Sequence, residues 1–187
     1  LENEVVGYGA SGRNGGFSMP LLGWNISYLV FAFGEERAKP AHQFMLSCVR
    51  RTRELVDNEK IDCDLEYNGL LVLARHERQF RGIEHDYNNY LKLGVKGVEL
   101  LDKSALRGRL NSAIHIGALY DPETAILNPA KLSRGMKSAV EKMGVKVFER
   151  SPVLGFDPGK EVIVHTLKAK VKAKYLVLAT NAFTVRL

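Results

Sequence analysis

Apolar positions recur along this chain in two rhythms, and each rhythm predicts a different element. From Ala41, the residues Phe44, Met45, Cys48, Val49, Thr52, Leu55 and Val56 return every three or four positions, which is one face of an α-helix. Pro40 suits the first turn of that helix, where a missing N–H costs little. Phe80, Ile83, Tyr87, Tyr90 and Leu91 repeat the spacing, and Gly94 supplies the stop. A third helix has the sharpest ends: Asn128 as N-cap, Pro129 as first residue and Gly144 beyond the last turn. Its buried stripe is Leu132, Met136, Ala139, Val140 and Met143. Short apolar or alternating runs predict strands at Leu70 to Ala74, Val98 to Leu101 and Ile114 to Tyr120, with a short helix from Lys103 to Leu110. Further strands are predicted at Val145 with Val147, Val153 to Phe156, Val162 to Thr166 and Val171. Tyr175 to Ala179 is apolar without alternation, which reads as a strand covered on both faces. This order of elements is an α/β (α+β) layout.

Composition narrows the class. The chain has 187 residues, 45% hydrophobic and 26% charged, which excludes global disorder and collagen-like sequence. No apolar run approaches the roughly 18 residues that span a bilayer, so no transmembrane segment is expected. The acidic start, Leu1-Glu2-Asn3-Glu4, does not resemble a secretory leader. Cys48 and Cys63 form no CxxC pair, which points to a reduced, cytoplasmic protein. Cys48 falls on an apolar helix face and reads as core. The net charge is +6, and much of the surplus lies in Lys168, Lys170, Lys172 and Lys174. Ala169, Val171 and Ala173 alternate with these lysines, so the run reads as a strand with a solvated basic face. No aromatics interleave with it, and no nucleic-acid partner is expected.

The segment richest in chemistry is Gly7-Tyr8-Gly9-Ala10-Ser11-Gly12-Arg13-Asn14-Gly15-Gly16-Phe17. Glycines let a ligand approach the main chain, and consecutive N–H groups in such a loop can cradle oxygens. Ser11 and Asn14 offer side-chain hydrogen bonds and Arg13 a positive charge. A turn-rich loop without a ligand has the same composition.

Ala10-Ser11-Gly12-Arg13-Asn14-Gly15-Gly16 resembles the second flavin-binding segment of FAD-dependent amine and amino-acid oxidoreductases of the D-amino-acid oxidase superfamily, of the glycine oxidase, D-amino-acid dehydrogenase and gamma-glutamylputrescine oxidase type. Asp121-Pro122-Glu123-Thr124-Ala125-Ile126-Leu127-Asn128-Pro129 is similar to the segment that leads back to that family's FAD domain. Ser151-Pro152-Val153 resembles its adenine contact, and Tyr175 to Ala182 its buried strand and following turn. The resemblance implies FAD as cofactor. It implies Glu2, with Asn3 beside it, at the adenosine ribose, where a carboxylate accepts two hydroxyl hydrogens. It also implies Ala10, Ser11, Arg13, Asn14, Gly15 and Gly16 around the pyrophosphate and ring system. Val153 would meet adenine, and Ala179, Thr180 and Asn181 would form the closing turn. Asn181 stands where the family usually has glycine, and Asn is the next residue most tolerant of positive φ.

The implied architecture is a partial FAD-binding Rossmann-like domain lacking its first strand, joined to part of a mixed-sheet substrate domain and a β-meander. Residues 1–62 and 128–187 would belong to the FAD-binding part, and 63–127 to the substrate part. The family's fingerprint, a GxGxxG that follows the first strand, is not found, nor is its C-terminal glycine-rich segment, so the chain reads as the central fragment of a longer enzyme, inactive alone and prone to self-association. The implied reaction is oxidation of the C–N bond of a small amine or amino-acid substrate, by hydride transfer to flavin N5. No catalytic residue and no metal site is nominated. His42, His76, His85, His115 and His165 read as structural or surface residues, and Asp62, Asp64 and Glu66 as a solvated turn. Tyr67, Tyr87, Tyr90 and Tyr120 are candidates for lining a substrate cavity or for packing. The alternatives are a non-catalytic module that binds nucleic acid or another polyanion through the basic strands, and a flavin-dependent tRNA-modifying or hydroxylase relative.

Overall fold

Side-chain caps set where most of the helices begin. In a computed structural model that describes residues 1–186, Asn25 accepts from the Tyr28 N–H at 2.9 Å and opens α1 (Ile26–Phe33). Gly34, at φ 77°, turns the chain into α2 (Glu35–Asn58). The His76 ring accepts from the Gln79 N–H and opens α3 (Glu77–Lys92), while Gln79 reaches back to the Arg75 N–H at 2.9 Å. Asp102 caps α4 (Lys103–Arg107) through the Ala105 N–H at 2.8 Å. The last helix, α5 (Pro129–Lys142), starts on proline and stops before Gly144, at φ 89°.

The chain divides into two units by its contacts, one formed by residues 15–128 and the other by residues 1–14 with the residues from Pro129 onward. In the first unit, β2 (Leu70–Ala74), β4 (Gly117–Asp121) and β3 (Glu99–Asp102) form an antiparallel sheet in the order β2-β4-β3. A two-residue ribbon joins β1 (Phe17–Ser18) to β5 (Ala125–Ile126). The core lies where α1 and α3 cover the sheet: Ile26, Leu29, Ala74, Ile83, Tyr90 and Leu119 are buried together. Each fully buried side chain of leucine size contributes about 1.5–3 kcal/mol. Gly117 permits this packing, because a Cβ there would meet the Phe80 ring at 2.3 Å. In the second unit, β6 (Val153–Asp157), β7 (Val162–Thr166) and β8 (Lys170–Ala173) form an antiparallel meander, with a register shift between Val153 and Gly155. Ala139 of α5 and Val164 of β7 are its buried apolar positions.

Several predicted elements differ in the structure. The long helix begins at Glu35, so Pro40 lies inside it rather than in its first turn. Helix α1 was hidden because its eight residues, Ile26 to Phe33, are almost uniformly apolar and show no amphipathic period. Val145 and Val147 form no strand, since their backbone follows the α5 stop without meeting a ladder partner. Tyr175 to Ala179 is not a strand either. A strand exists only through hydrogen bonds to a neighbour, none of the strands among the described residues pairs with it, and Val177 is 84% exposed. Ala169 and Val171 are exposed together with their lysine neighbours, so the basic run has no buried face at those two positions. Cys48 is half-buried rather than core, and Cys63 is buried. No helix among the described residues is long and apolar enough to cross a membrane.

Candidate functional site

The first residues of the chain lie alongside the segment that precedes β6. The Glu2 N–H donates to the Phe148 carbonyl at 2.8 Å, and the Glu2 carbonyl accepts from the Ser151 N–H at 2.8 Å. The Glu4 carbonyl accepts from the Arg150 N–H at the same distance. Glu2 and Val153 are thereby brought into one neighbourhood although 150 residues separate them in sequence, and Val153 begins β6 two residues beyond Ser151. The Glu2 carboxylate accepts from the Glu4 N–H at 3.0 Å, which orients it within its own turn. The Asn3 amide donates to the Glu4 carboxylate at 3.3 Å.

Glu149, which sequence reasoning missed, ties this arrangement together. Its carboxylate accepts from the Val6 N–H at 2.8 Å and from Lys137 Nζ of α5 at 2.9 Å. The Val6 N–H, with help from Lys137, holds the Glu149 carboxyl below the usual carboxylate range, and the hydrogen bond to Glu149 raises Lys137. No motif marks Glu149, because its partners lie far away in sequence.

Glycine chemistry shapes the loop that follows. Gly7, at φ 84°, presses against Ser133 of α5, and a Cβ on it would stand 2.9 Å from the Ser133 Cβ. Gly12 folds back so tightly that a Cβ on it would fall 2.0 Å from the Gly7 carbonyl oxygen. The Gly12 and Arg13 N–H groups donate to Gly9 and Ala10. The Asn14 amide donates to the Ala10 carbonyl at 3.0 Å and to the Ser11 carbonyl at 3.1 Å, closing the turn. The Arg13 guanidinium lies 4.0 Å over the Tyr8 ring. Ala10, Ser11, Arg13 and Asn14 are exposed. Gly9 has open space around the position of a Cβ, so its backbone is approachable.

The remaining sequence candidates lie apart. Gly15 and Gly16 belong to the unit of residues 15–128; Gly16 is buried and its carbonyl accepts from the Leu127 N–H at 2.9 Å. Ala179, Thr180 and Asn181 are exposed where a short 3-10 turn, Asn181–Arg186, begins. Asn181 has φ 49°, the left-handed conformation that asparagine tolerates better than most residues. Thr180 and Thr184 share a hydrogen bond of 2.7 Å.

The histidines and tyrosines are occupied in different ways. His115 meets Ser112 at 2.7 Å and His165 meets Asp157 at 2.8 Å. His42 is 4% exposed and packs edge-on against the Tyr90 ring. Tyr67 donates to the Val49 carbonyl at 3.3 Å, and Tyr120 lies under the Arg109 guanidinium. Burial pushes the Tyr90 phenol up, helped by the carboxylates of Asp121 and Asp86. Among the described residues no three His, Cys, Asp or Glu side chains are grouped to hold a metal ion.

These features define a mixed α/β protein with an approachable backbone at Gly9 and a Glu2 carboxylate oriented by its own turn. The chain belongs to the FAD dependent oxidoreductase family, matched over residues 1–187. It is 33% identical over 183 residues to gamma-glutamylputrescine oxidoreductase of Escherichia coli, a match that covers 98% of this chain and 43% of that protein. The fold is that of glycine oxidase from Geobacillus kaustophilus, with a TM-score of 0.75 at 22% identity, over 100% of this chain and 49% of that one. L-Amino acid deaminase from Proteus myxofaciens matches with a TM-score of 0.75 at 14% identity, over 98% of this chain and 40% of that one. The chain thus spans less than half the length of these relatives.

The donor set suits FAD. A carboxylate faces the need of ribose hydroxyls for an acceptor, and the exposed backbone around Gly9 with the nearby Arg13 guanidinium suits a pyrophosphate.

Proposed function

We propose that this chain is the central part of an enzyme that oxidises the C–N bond of an amine or amino acid with FAD. When bound, FAD would supply the two-electron acceptor for oxidation of that bond. The chain's own residues bind and orient. Glu2 accepts from the adenosine ribose, and Asn3 steadies the adjoining turn. The backbone of Val153 meets adenine. Ala10, Ser11 and Arg13 hold pyrophosphate oxygens, and Asn14 keeps their loop closed. Ala179, Thr180 and Asn181, exposed in the same unit, offer a further turn to the cofactor. Residues 1–62 and 128–187 serve the FAD-binding part, and residues 63–127 the substrate part. A small amine or amino acid as substrate is supported by the gamma-glutamylputrescine relative, and a cytoplasmic setting by a cysteine spacing that forms no CxxC.

The observation that supports the reading is the backbone pairing of Glu2 with Phe148 and Ser151, which brings Glu2 alongside the segment that leads into β6. The test is a chimera in which these residues replace the matched segment of the Escherichia coli relative. Stoichiometric flavin and bleaching of its absorbance by amine are expected, with FAD affinity falling at least about tenfold in Glu2→Ala, the scale of a lost charged hydrogen bond. A folded chimera that takes up no flavin overturns the proposal. The 187-residue chain is expected to hold FAD more weakly than the chimera.

A further inference from the structure

The unit of residues 15–128 contains a cavity of about 250 Å³ that no cofactor contact uses. Helix α2 forms one wall and the turn that ends α3 forms another. The floor is His42, whose ring N–H donates to the Pro20 carbonyl. Leu46 of α2, Leu93 and Val95 give the walls an apolar surface. Lys39 and Lys96 stand at the opening, and the Lys39 ammonium lies over the turn, 4.0 Å from where a Gly94 Cβ would be. Among the described residues neither lysine has a carboxylate partner. Arg50 also lines the space, but Glu123 neutralises it at 2.6 Å. Asp121 already accepts from the Glu123 N–H at 2.9 Å.

From this arrangement we infer that the cavity binds a small organic monocarboxylate, its head at Lys39 and Lys96 and its hydrocarbon stem on Leu46, Leu93 and Val95. Charge decides between anions. Two unpaired ammonium groups attract an oxyanion, while the Asp121 carboxylate on the same lining repels a second negative charge. A dianionic phosphate would also leave the apolar walls uncovered. Gln43, on the same helix, adds an amide donor for the head group. Burial of His42 keeps its imidazole neutral near pH 7.5, so it neither competes for nor repels the ligand. The inference does not depend on flavin.

The experiment is a titration of the 187-residue chain with sodium butyrate at pH 7.5, read by NMR of the histidine Cε1–H signals. The His42 signal is expected to move saturably at concentrations up to ~50 mM, in the range of a millimolar Kd, while those of His76, His85, His115 and His165 stay in place. Inorganic phosphate should bind at least about tenfold more weakly, and Lys39→Ala with Lys96→Ala should weaken butyrate about tenfold, the sum of two exposed charge contacts. If that double variant loses the native amide spectrum, Lys96→Glu alone provides the same comparison. A stationary His42 signal, equal affinity for phosphate, or butyrate binding undiminished by loss of the lysines overturns the inference.

Discussion

Gly12 and His42 show how single residues carry consequences beyond their neighbours. At Gly12 the limit is steric, because a Cβ would overlap the Gly7 carbonyl at 2.0 Å. Gly12→Ala must open the turn that Asn14 closes, and a loss of about 1–3 kcal/mol in urea unfolding is expected. An unchanged midpoint would show that the loop does not hold this turn. At His42 the cause is burial, which lowers its pKa from 6.5 against the pull of the Asp121 carboxylate and the Pro20 carbonyl. The unfolded chain takes up the proton first as pH falls. Stability attached to the neutral ring is therefore complete above pH 6.5 and is lost as pH drops through the lower folded value. Asp121 has the opposite sign. Burial raises its carboxyl above 3.8, so its contribution is complete below 3.8 and is lost as pH rises through the folded value. His42→Gln should flatten the stability profile between about pH 5 and 7, the window of histidine titration. A variant profile parallel to the parent's would count against that assignment.

Among the elements, α2 is the least economical. Pro40 is its sixth residue, so the Glu36 carbonyl lacks the N–H that any other residue at position 40 would donate. Pro40→Ala restores that donor at an exposed position, and a gain of about 1–3 kcal/mol is expected by denaturant unfolding, after allowing for the freer unfolded chain. No gain would mean that the helix already bends to satisfy Glu36. The contrast with α3 and α5 shows what a sequence can tell. Their apolar positions keep one period and their ends carry local signals, Gly94 and Asn128-Pro129-Gly144, so both helices were legible. Helix α1 was not legible, because a uniformly apolar helix has no period. Its placement depends on Asn25, Ser27, Asp86 and Asn89, which hydrogen-bond α1 to α3 across about sixty residues of sequence.

At the scale of the molecule, apolar surface is the unsettled quantity. Trp24, Tyr28, Phe31 and Phe33 are all exposed on or beside α1, Phe31 at 87%, and Val177 and Val185 are similarly open. Patches of this kind drive association. Light scattering of the isolated chain should show a mass that rises with concentration, and Phe31→Ser should lower it. A concentration-independent monomer would contradict this. The loop from Gly7 to Gly16, the carboxylate of Glu2 and the positive φ tolerated at Asn181 were readable from the sequence, because glycine and asparagine advertise backbone geometry through their own covalent structure. So were the periods of β2, α3 and α5, which depend on near neighbours. What required tertiary structure was every pairing across distance: Glu2 with Ser151, Glu149 with Val6, His42 under the Lys39 opening, and the failure of Tyr175 to Ala179 to form a ladder. Those depend on which surfaces meet, and a hydrogen bond between residues 149 positions apart leaves no period in the chain that makes it.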